Sequence, residues 1–231
     1  SRIIAVSDYI RRRLIENGCP DEKITKHFIG IDLAHFTPLP EGTPRADVVF
    51  VGRLTEKKGC RYLIEAMHLL AAAGRNEKLH VIGDGGLREE LQGLAKPLGD
   101  RVVFHGRQGP DFVREMVGKA AVFCAPSVTS RSGDAEGLGM VNLEAMALGT
   151  PVVSTFHTAI PEAVLHEQTG ILVPEKDVPA LAAALTRCLE DESLSRMLGR
   201  NGIDHVRSHF DLRKQCAALE SIYEDVVAGS R

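Results

Sequence analysis

The chain has 231 residues, 44% of them hydrophobic and 26% charged, with a formal net charge of −3. That balance is ordinary for a globular protein. It gives no bulk attraction to nucleic acid, and no apolar run approaches the ~20 residues of a membrane-spanning helix. The five cysteines, Cys19, Cys60, Cys124, Cys188 and Cys216, show no C-x-x-C spacing and no neighbouring His cluster, which argues against a zinc site and for a reducing compartment.

The elements follow in chain order. IIAVS near the start reads as a strand, Asp8–Glu16 as a helix and Lys23–Ile29 as extended. Tyr9-Ile-Arg-Arg-Arg-Leu is the wet face of an amphipathic helix, with contact to anionic lipid as the alternative. Pro38, Pro40, Gly42 and Pro44 mark a linker. ADVVFVG (46–52) is then a strand, followed by the loop RLTEKKG and a helix over Cys60–Ala73, whose Leu63, Ile64, Met67, Leu70 and Ala71 keep helical spacing. Further strands are LHVIG (79–83), VVFHG (102–106), AVFCAPS (121–127), PVVS (151–154) and ILVP (171–174), with helices between them. From about Val178 to Ala228 the chain is helical, with breaks expected near Gly202 and His209. Short apolar strands alternating with helices imply a Rossmann-like, doubly wound parallel α/β sheet of about six strands covered on both faces. The strand ends Gly52, Gly83 and Gly106 are where ligand loops gather on such sheets.

EGLGMVNLEAMALGTPVVS (136–154) is the most informative segment. Its helix is apolar on nearly every side and is therefore a buried one. Glu144 sits on that helix and needs a donor, a cation or a polar ligand. Glu136 precedes Gly137-Leu138-Gly139, at the mouth of the same helix, where unpaired N–H groups favour an anion. Both glutamates also fit a plainer role as a cap and a buried polar pair. Arg53, Lys57 and Lys58 lie on the loop after the first main strand and suit a phosphate or diphosphate; as an ordinary charged turn they would be unremarkable. G-x-x-x-x-G-K-[ST] is absent, and Gly83-Asp-Gly-Gly has the wrong spacing for a dinucleotide fingerprint. No G-x-S-x-G elbow surrounds Ser127. His105, His157, His166 and His205 lack partners at ligand spacing and read as structural or exposed.

VGRLTEKKGCRYLIEAM, VIGDGGLREEL, VVFHG, APSV and EGLGMVNLEAMALGTPVVST, in that order, with GILVPEKDVPALAAAL after them, resemble the C-terminal domain of a family 4 retaining glycosyltransferase of the GT-B fold. The resemblance covers nearly the whole chain. It implies that Glu136 touches the sugar of a nucleotide-sugar donor and that Glu144 holds the ribose. It also implies that Arg53 and Lys58 grip the diphosphate. The main chain at Gly52, Gly83 and from Gly137 through Leu138 and Gly139 to Met140 would line the donor, and Gly106-Arg107 would lie near its base. Ile29-Gly-Ile-Asp32 replaces the usual Asn-Gly-Val-Asp, and Leu138 replaces the usual Phe. With SRSGDAEG and HTAIPE these departures look closer to exopolysaccharide and colanic-acid-type transferases.

The expected organisation is a remnant of an acceptor domain (1–18), a linker (19–45), the nucleotide-sugar domain (46–210) and a C-terminal helix (211–231) that packs toward the missing N-terminal domain. The intact enzyme would transfer a hexosyl group with retention to a saccharide or lipid-linked acceptor, without cofactor or metal, from a UDP or GDP sugar rather than an ADP sugar. It would work in the cytoplasm, with peripheral association at the inner membrane face. This polypeptide alone, read from its opening serine as a fragment or processed chain, would bind donor without transferring sugar. The apolar faces of Ile3, Ile4 and Val6, and of Leu219, Ile222 and Val226, would then be unusually exposed or covered by another copy of the chain. A GT-B epimerase and a non-catalytic nucleotide-binding module are the alternatives.

Overall fold

The computed structural model describes residues 2–40 and 42–228. Ser1, Glu41 and residues 229–231, which belong to the expected remnant, linker and C-terminal helix, lie outside the described residues.

The chain begins with strand β1 (Ile3–Ala5), helix α1 (Asp8–Glu16) and strand β2 (Ile24–Lys26). β1 and β2 pair in parallel as a separate two-stranded sheet. Ser7 caps α1 by accepting the Ile10 N–H at 3.1 Å. Two of the three consecutive arginines on α1 are paired, Arg11 with Asp21 and Arg13 with Glu16. That pairing fits the wet-face reading of the helix. α1 itself buries no residue.

The main unit alternates strand and helix as the apolar runs predict. It comprises β3 (Ala46–Val51), α2 (Cys60–Ala72), β4 (Leu79–Ile82), α3 (Arg88–Ala95), β5 (Val102–Gly106), α4 (Pro110–Gly118), β6 (Ala120–Ala125), α5 (Met140–Ala147), β7 (Val152–Thr155), α6 (Ile160–Ala163), β8 (Ile171–Val173) and α7 (Val178–Glu190). The strands form one parallel sheet in the order β5-β4-β3-β6-β7-β8. Residues along each strand alternate between two cores. Val48 and Phe50 face α2, α3 and α7, whereas Val49 faces α4, α5 and α6.

α8 (Glu192–His209) and α9 (Leu212–Ala228) complete the described chain. The break expected near Gly202 is not there. Gly202 lies inside an unbroken α8, buried against Met146 of α5, where an added Cβ would come within 3.1 Å of the Met146 Cβ. A glycine that resembled a helix breaker is a packing contact instead. The break falls at Asp191, whose carboxylate caps α8 by accepting the Leu194 N–H at 2.9 Å. The chain breaks again at Phe210 and Asp211, next to the predicted His209.

The stretch read as a linker contributes to the core. Ile31 is buried and exchanges backbone hydrogen bonds with Phe210 and Leu212, and Phe210 in turn packs on Phe28 with its ring tilted by 46°. α9, like α1, buries no residue. Ile3 is 41% exposed, and Ile4, Val6, Leu219, Ile222 and Val226 are half-buried. None of the described helices is long and apolar enough to cross a membrane.

Candidate functional site

In this strand order the chain leaves β3 toward one edge of the sheet and β6 toward the other, which opens a crevice between their carboxyl ends. The loop after β3 (52–59) and the loop after β6 (126–139) face each other across it. Glycine lets them touch. Gly59 has φ +67°, and a Cβ there would fall 1.8 Å from the Pro126 carbonyl oxygen. Val128 N–H donates to the Lys57 carbonyl at 2.8 Å across the same contact. The next loop is as close. Gly83 has φ +132°, a Cβ on it would meet the Gly52 carbonyl oxygen at 2.0 Å, and its own N–H donates to the Gly106 carbonyl at 2.8 Å. Gly52, Gly83 and Gly106 thus form a floor of main chain under the crevice. Arg107 stands exposed at its outer end.

Lys58 ends a 3₁₀ turn (Glu56–Lys58), and that turn aims it across the crevice. Its Nζ donates to Oε2 of Glu136, and the two side chains are only 15% and 17% exposed. The neighbouring Lys57 ties down the far loop through Asp134 (3.0 Å) and the Ala135 carbonyl (3.3 Å). The Lys57 bond holds the Asp134 carboxyl below the usual carboxylate range, and the charge of Arg53 adds to the effect. Arg53 itself is exposed.

Glu144 lies one helical stretch further on, half-buried on α5. Burial pushes its carboxyl up to about 7, with the positive charge of Lys58 opposing the shift. Lys58 therefore acts on both glutamates. Among the described residues no hydrogen bond reaches the Glu144 carboxylate. It borders an apolar crevice whose lining includes Phe36, Val51, Val141 and Arg114, and the Arg114 Nε is buried without a partner. From Gly137 to Gly139 the chain presents main chain rather than side chains. The Leu138 side chain is 3% exposed and packs into the core, whereas nothing lies within 4 Å of where a Gly137 Cβ would be. Gly139 caps α5, and Met140 is half-buried at its first turn. The start of α5 leaves backbone N–H groups without intrahelical partners, a setting that favours an anion.

Four residues on the far wall escaped the reading of the sequence. His157, expected as structural or exposed, is fully buried behind Glu136. Its Nε2 accepts the Glu136 N–H at 3.0 Å, and its Nδ1 faces Oε1 of Glu175 at 2.5 Å. The carboxylate requires the proton on Nδ1, which leaves Nε2 free to accept. Thr158 donates its hydroxyl to the Glu136 carbonyl at 2.6 Å. The second oxygen of Glu175 accepts the Thr129 N–H at 2.8 Å. Burial alone would raise the Glu175 carboxyl, but these bonds bring it below the ordinary range. No spacing in the sequence joins these positions, because Thr129 lies beyond β6, His157 and Thr158 beyond β7 and Glu175 beyond β8. Asn142 was missed as well. It is 1% exposed under Gly139, and among the described residues both of its amide atoms lack a partner.

Among the described residues no group of three or more His, Cys, Asp or Glu side chains is placed to hold a metal ion. A larger surface concavity, around Ala73–Glu77, lies at the opposite end of the sheet from these loops.

Fold and crevice together define an α/β domain with a glycine floor, one lysine and two carboxylates at the switch point of its sheet. A family model described as glycosyl transferases group 1 matches residues 45–191, and the chain belongs to that family. It is similar to the putative colanic acid biosynthesis glycosyltransferase WcaL of Escherichia coli strain K12, 36% identical over 225 residues, covering 94% of this chain and 55% of that protein. The amylovoran biosynthesis glycosyltransferase AmsK of Erwinia amylovora is 36% identical over 195 residues, covering 83% of this chain and 48% of that one. Among solved structures, sucrose-phosphate synthase from Thermosynechococcus elongatus aligns with a TM-score of 0.84 at 28% identity, over 98% of this chain and 58% of that chain. Anabaena HepE, solved in complex with UDP and glucose, gives 0.85 at 22% identity, over 97% and 63%. These neighbours are GT-B glycosyltransferases, and the sheet described here is one half of that fold. The chain spans about half the length of the relatives it matches.

Proposed function

We propose that the crevice binds a nucleoside-diphosphate sugar and that the intact enzyme transfers its sugar, with retention, to a saccharide or lipid-linked acceptor in exopolysaccharide synthesis. The observation that carries this reading is Lys58, set across the switch point between Glu136 and Glu144 above a main-chain floor. A diphosphate is a fitting counter-ion for Lys58, Arg53 and the N–H groups from Gly137 to Met140. Glu144, half-buried and without a hydrogen bond, suits a ribose diol. Glu136 exchanges Lys58 for the sugar hydroxyls, while Lys58 turns to the departing diphosphate. Gly106 and Arg107 face the base. The names of WcaL and AmsK support a role in exopolysaccharide synthesis, and the UDP complex of HepE supports a nucleotide in the crevice.

Lys58 and Arg53 provide the positive charge that a divalent ion would otherwise supply, so chelation should leave activity intact. Retention then proceeds by front-face attack without an enzymic nucleophile. UDP and GDP donors fit this reading ahead of ADP donors. An epimerase would use the same crevice for elimination and addition, and a non-catalytic module would have no use for the part-buried pair Lys58–Glu136. The acceptor would be held by a second domain against α1 and α9, whose apolar positions are incompletely covered. The intact enzyme would act in the cytoplasm, peripherally at the inner membrane face. Since rate depends on holding both reactants in attack geometry, residues 1–231 alone should bind donor and transfer nothing. The test is an assay of this chain with labelled donors and a panel of acceptors. Binding without transfer is expected; acceptor-dependent transfer would overturn the domain assignment, and epimerised donor would favour the epimerase.

A further inference from the structure

The crevice loop that carries Glu136 has no regular secondary structure between β6 and α5, yet Glu136 is held at both of its backbone polar groups. The N–H goes to His157 Nε2 at 3.0 Å and the carbonyl accepts from the Thr158 hydroxyl at 2.6 Å. Two consecutive residues beyond β7 therefore clamp one residue beyond β6. The second of them is strained. Thr158 has φ +45°, a region that a β-branched residue occupies only when its surroundings enforce it. The first is fixed from behind. His157 is fully buried, and Glu175, beyond β8, accepts hydrogen bonds from its Nδ1–H at 2.5 Å and from the Thr129 N–H at 2.8 Å. Loops from three neighbouring strands meet in this one hydrogen-bonded chain.

We propose that His157, locked by Glu175 in the tautomer with a bare Nε2, is the positioning residue for Glu136 and sets where its carboxylate meets the sugar of the donor. The proposal rests on the reading of Glu136 as the sugar-facing carboxylate. With its main chain pinned, Glu136 can swing only its side chain between Lys58 and a ligand. A site held within a fraction of an ångström is what productive geometry demands. The diphosphate and ribose contacts assigned to Arg53, Lys58 and Glu144 do not pass through His157.

Two substitutions separate the ring's two bonds. His157→Gln keeps an acceptor where Nε2 stood and loses the bond to Glu175. His157→Asn keeps a donor where Nδ1 stood and loses the bond to Glu136. In the 231-residue chain, amide hydrogen exchange at Glu136 should be slow in wild type and in His157→Gln. In His157→Asn it should be about tenfold faster, the equivalent of one net hydrogen bond. Affinity for UDP or GDP should stay within about twofold in both variants, while affinity for the corresponding nucleotide sugar should fall in His157→Asn and recover in His157→Gln. Equal behaviour of the two variants at the Glu136 amide would show that the ring only fills space, and would overturn the proposal. If wild type binds no nucleotide, the donor reading falls, while the exchange measurement still decides the clamp. Should the variants not fold, imidazole ¹⁵N shifts of the wild-type chain give the answer. A bare Nε2 on His157 supports the clamp, and a protonated Nε2 contradicts it.

Discussion

The two walls of the crevice are built from different materials. Beyond β3, β4 and β5 the wall is main chain, where Gly52, Gly83 and Gly106 lie against one another and Gly59 lies against Pro126. Beyond β6, β7 and β8 it is side chain, a run of hydrogen bonds from Thr129 through Glu175 and His157 to Glu136. At Gly59 and Gly83 the first wall admits no Cβ. The second should accept any replacement that keeps its donors and acceptors. The comparison explains where affinity and selectivity could arise. A main-chain wall lets a polar ligand come close whatever its sugar, and a side-chain wall can be tuned to a particular one.

The largest effect should follow from an added Cβ in the first wall. Gly59→Ala combines a left-handed backbone with a contact of 1.8 Å to the Pro126 carbonyl. It should destabilise the chain by about 3–5 kcal/mol or prevent folding, read as a fall in the thermal midpoint. Thr158→Gly in the second wall relieves a positive φ while losing one hydrogen bond, and should change the midpoint far less. Similar losses in the two variants would dissolve the distinction between the walls.

Next come the charges that bridge the walls. Lys58→Ala and Arg53→Ala should each weaken nucleoside diphosphate binding by about 1–3 kcal/mol if they make charge-assisted bonds. Calorimetry showing unchanged affinity in both would remove the diphosphate role. Lys58→Ala should also destabilise the unliganded chain more than Arg53→Ala does, because it leaves Glu136 unpaired at 17% exposure while Arg53 is already exposed.

Glu144 gives a smaller effect with a definite sign. Its carboxyl titrates at about 7 in the folded chain and near 4.5 when unfolded. Between those values the folded state keeps a proton that the unfolded state has lost. Stability from this group therefore falls as pH rises through that window, and the penalty is constant above it. Glu144→Gln should be about 1–3 kcal/mol more stable than wild type at pH 8 and indistinguishable at pH 4. A gain equal at both pH values would mean that Glu144 does not titrate as described.

The smallest change is Asn142→Leu. Replacing a buried amide that has no partner by an apolar side chain of similar size should stabilise the chain by about 1 kcal/mol. Loss of stability would reveal a partner for Asn142 in solution.

What was legible in the sequence follows the same division. The strands of the main sheet were readable because each is a short, mostly apolar run. The first wall was readable because its chemistry is local, with strand, glycine and lysine in one stretch. Glu136 and Glu144 were readable because eight positions on one segment join them. The relay on the second wall was not, since His157 and Glu175 are 18 residues apart and meet only through the pairing of β7 with β8. Gly202 misled for a related reason. Its role depends on Met146 of another helix, and composition alone reads a mid-helix glycine as a breaker.

The most direct test of the account is calorimetric titration of UDP or GDP into Glu144→Gln and Glu136→Gln alongside wild type. With Glu144 on the ribose and Glu136 on the sugar, Glu144→Gln should bind the nucleotide more weakly. Glu136→Gln should bind no less tightly than wild type, since Lys58 is then free for the diphosphate. Equal losses of affinity in the two variants, or no binding to the wild-type chain, would contradict it.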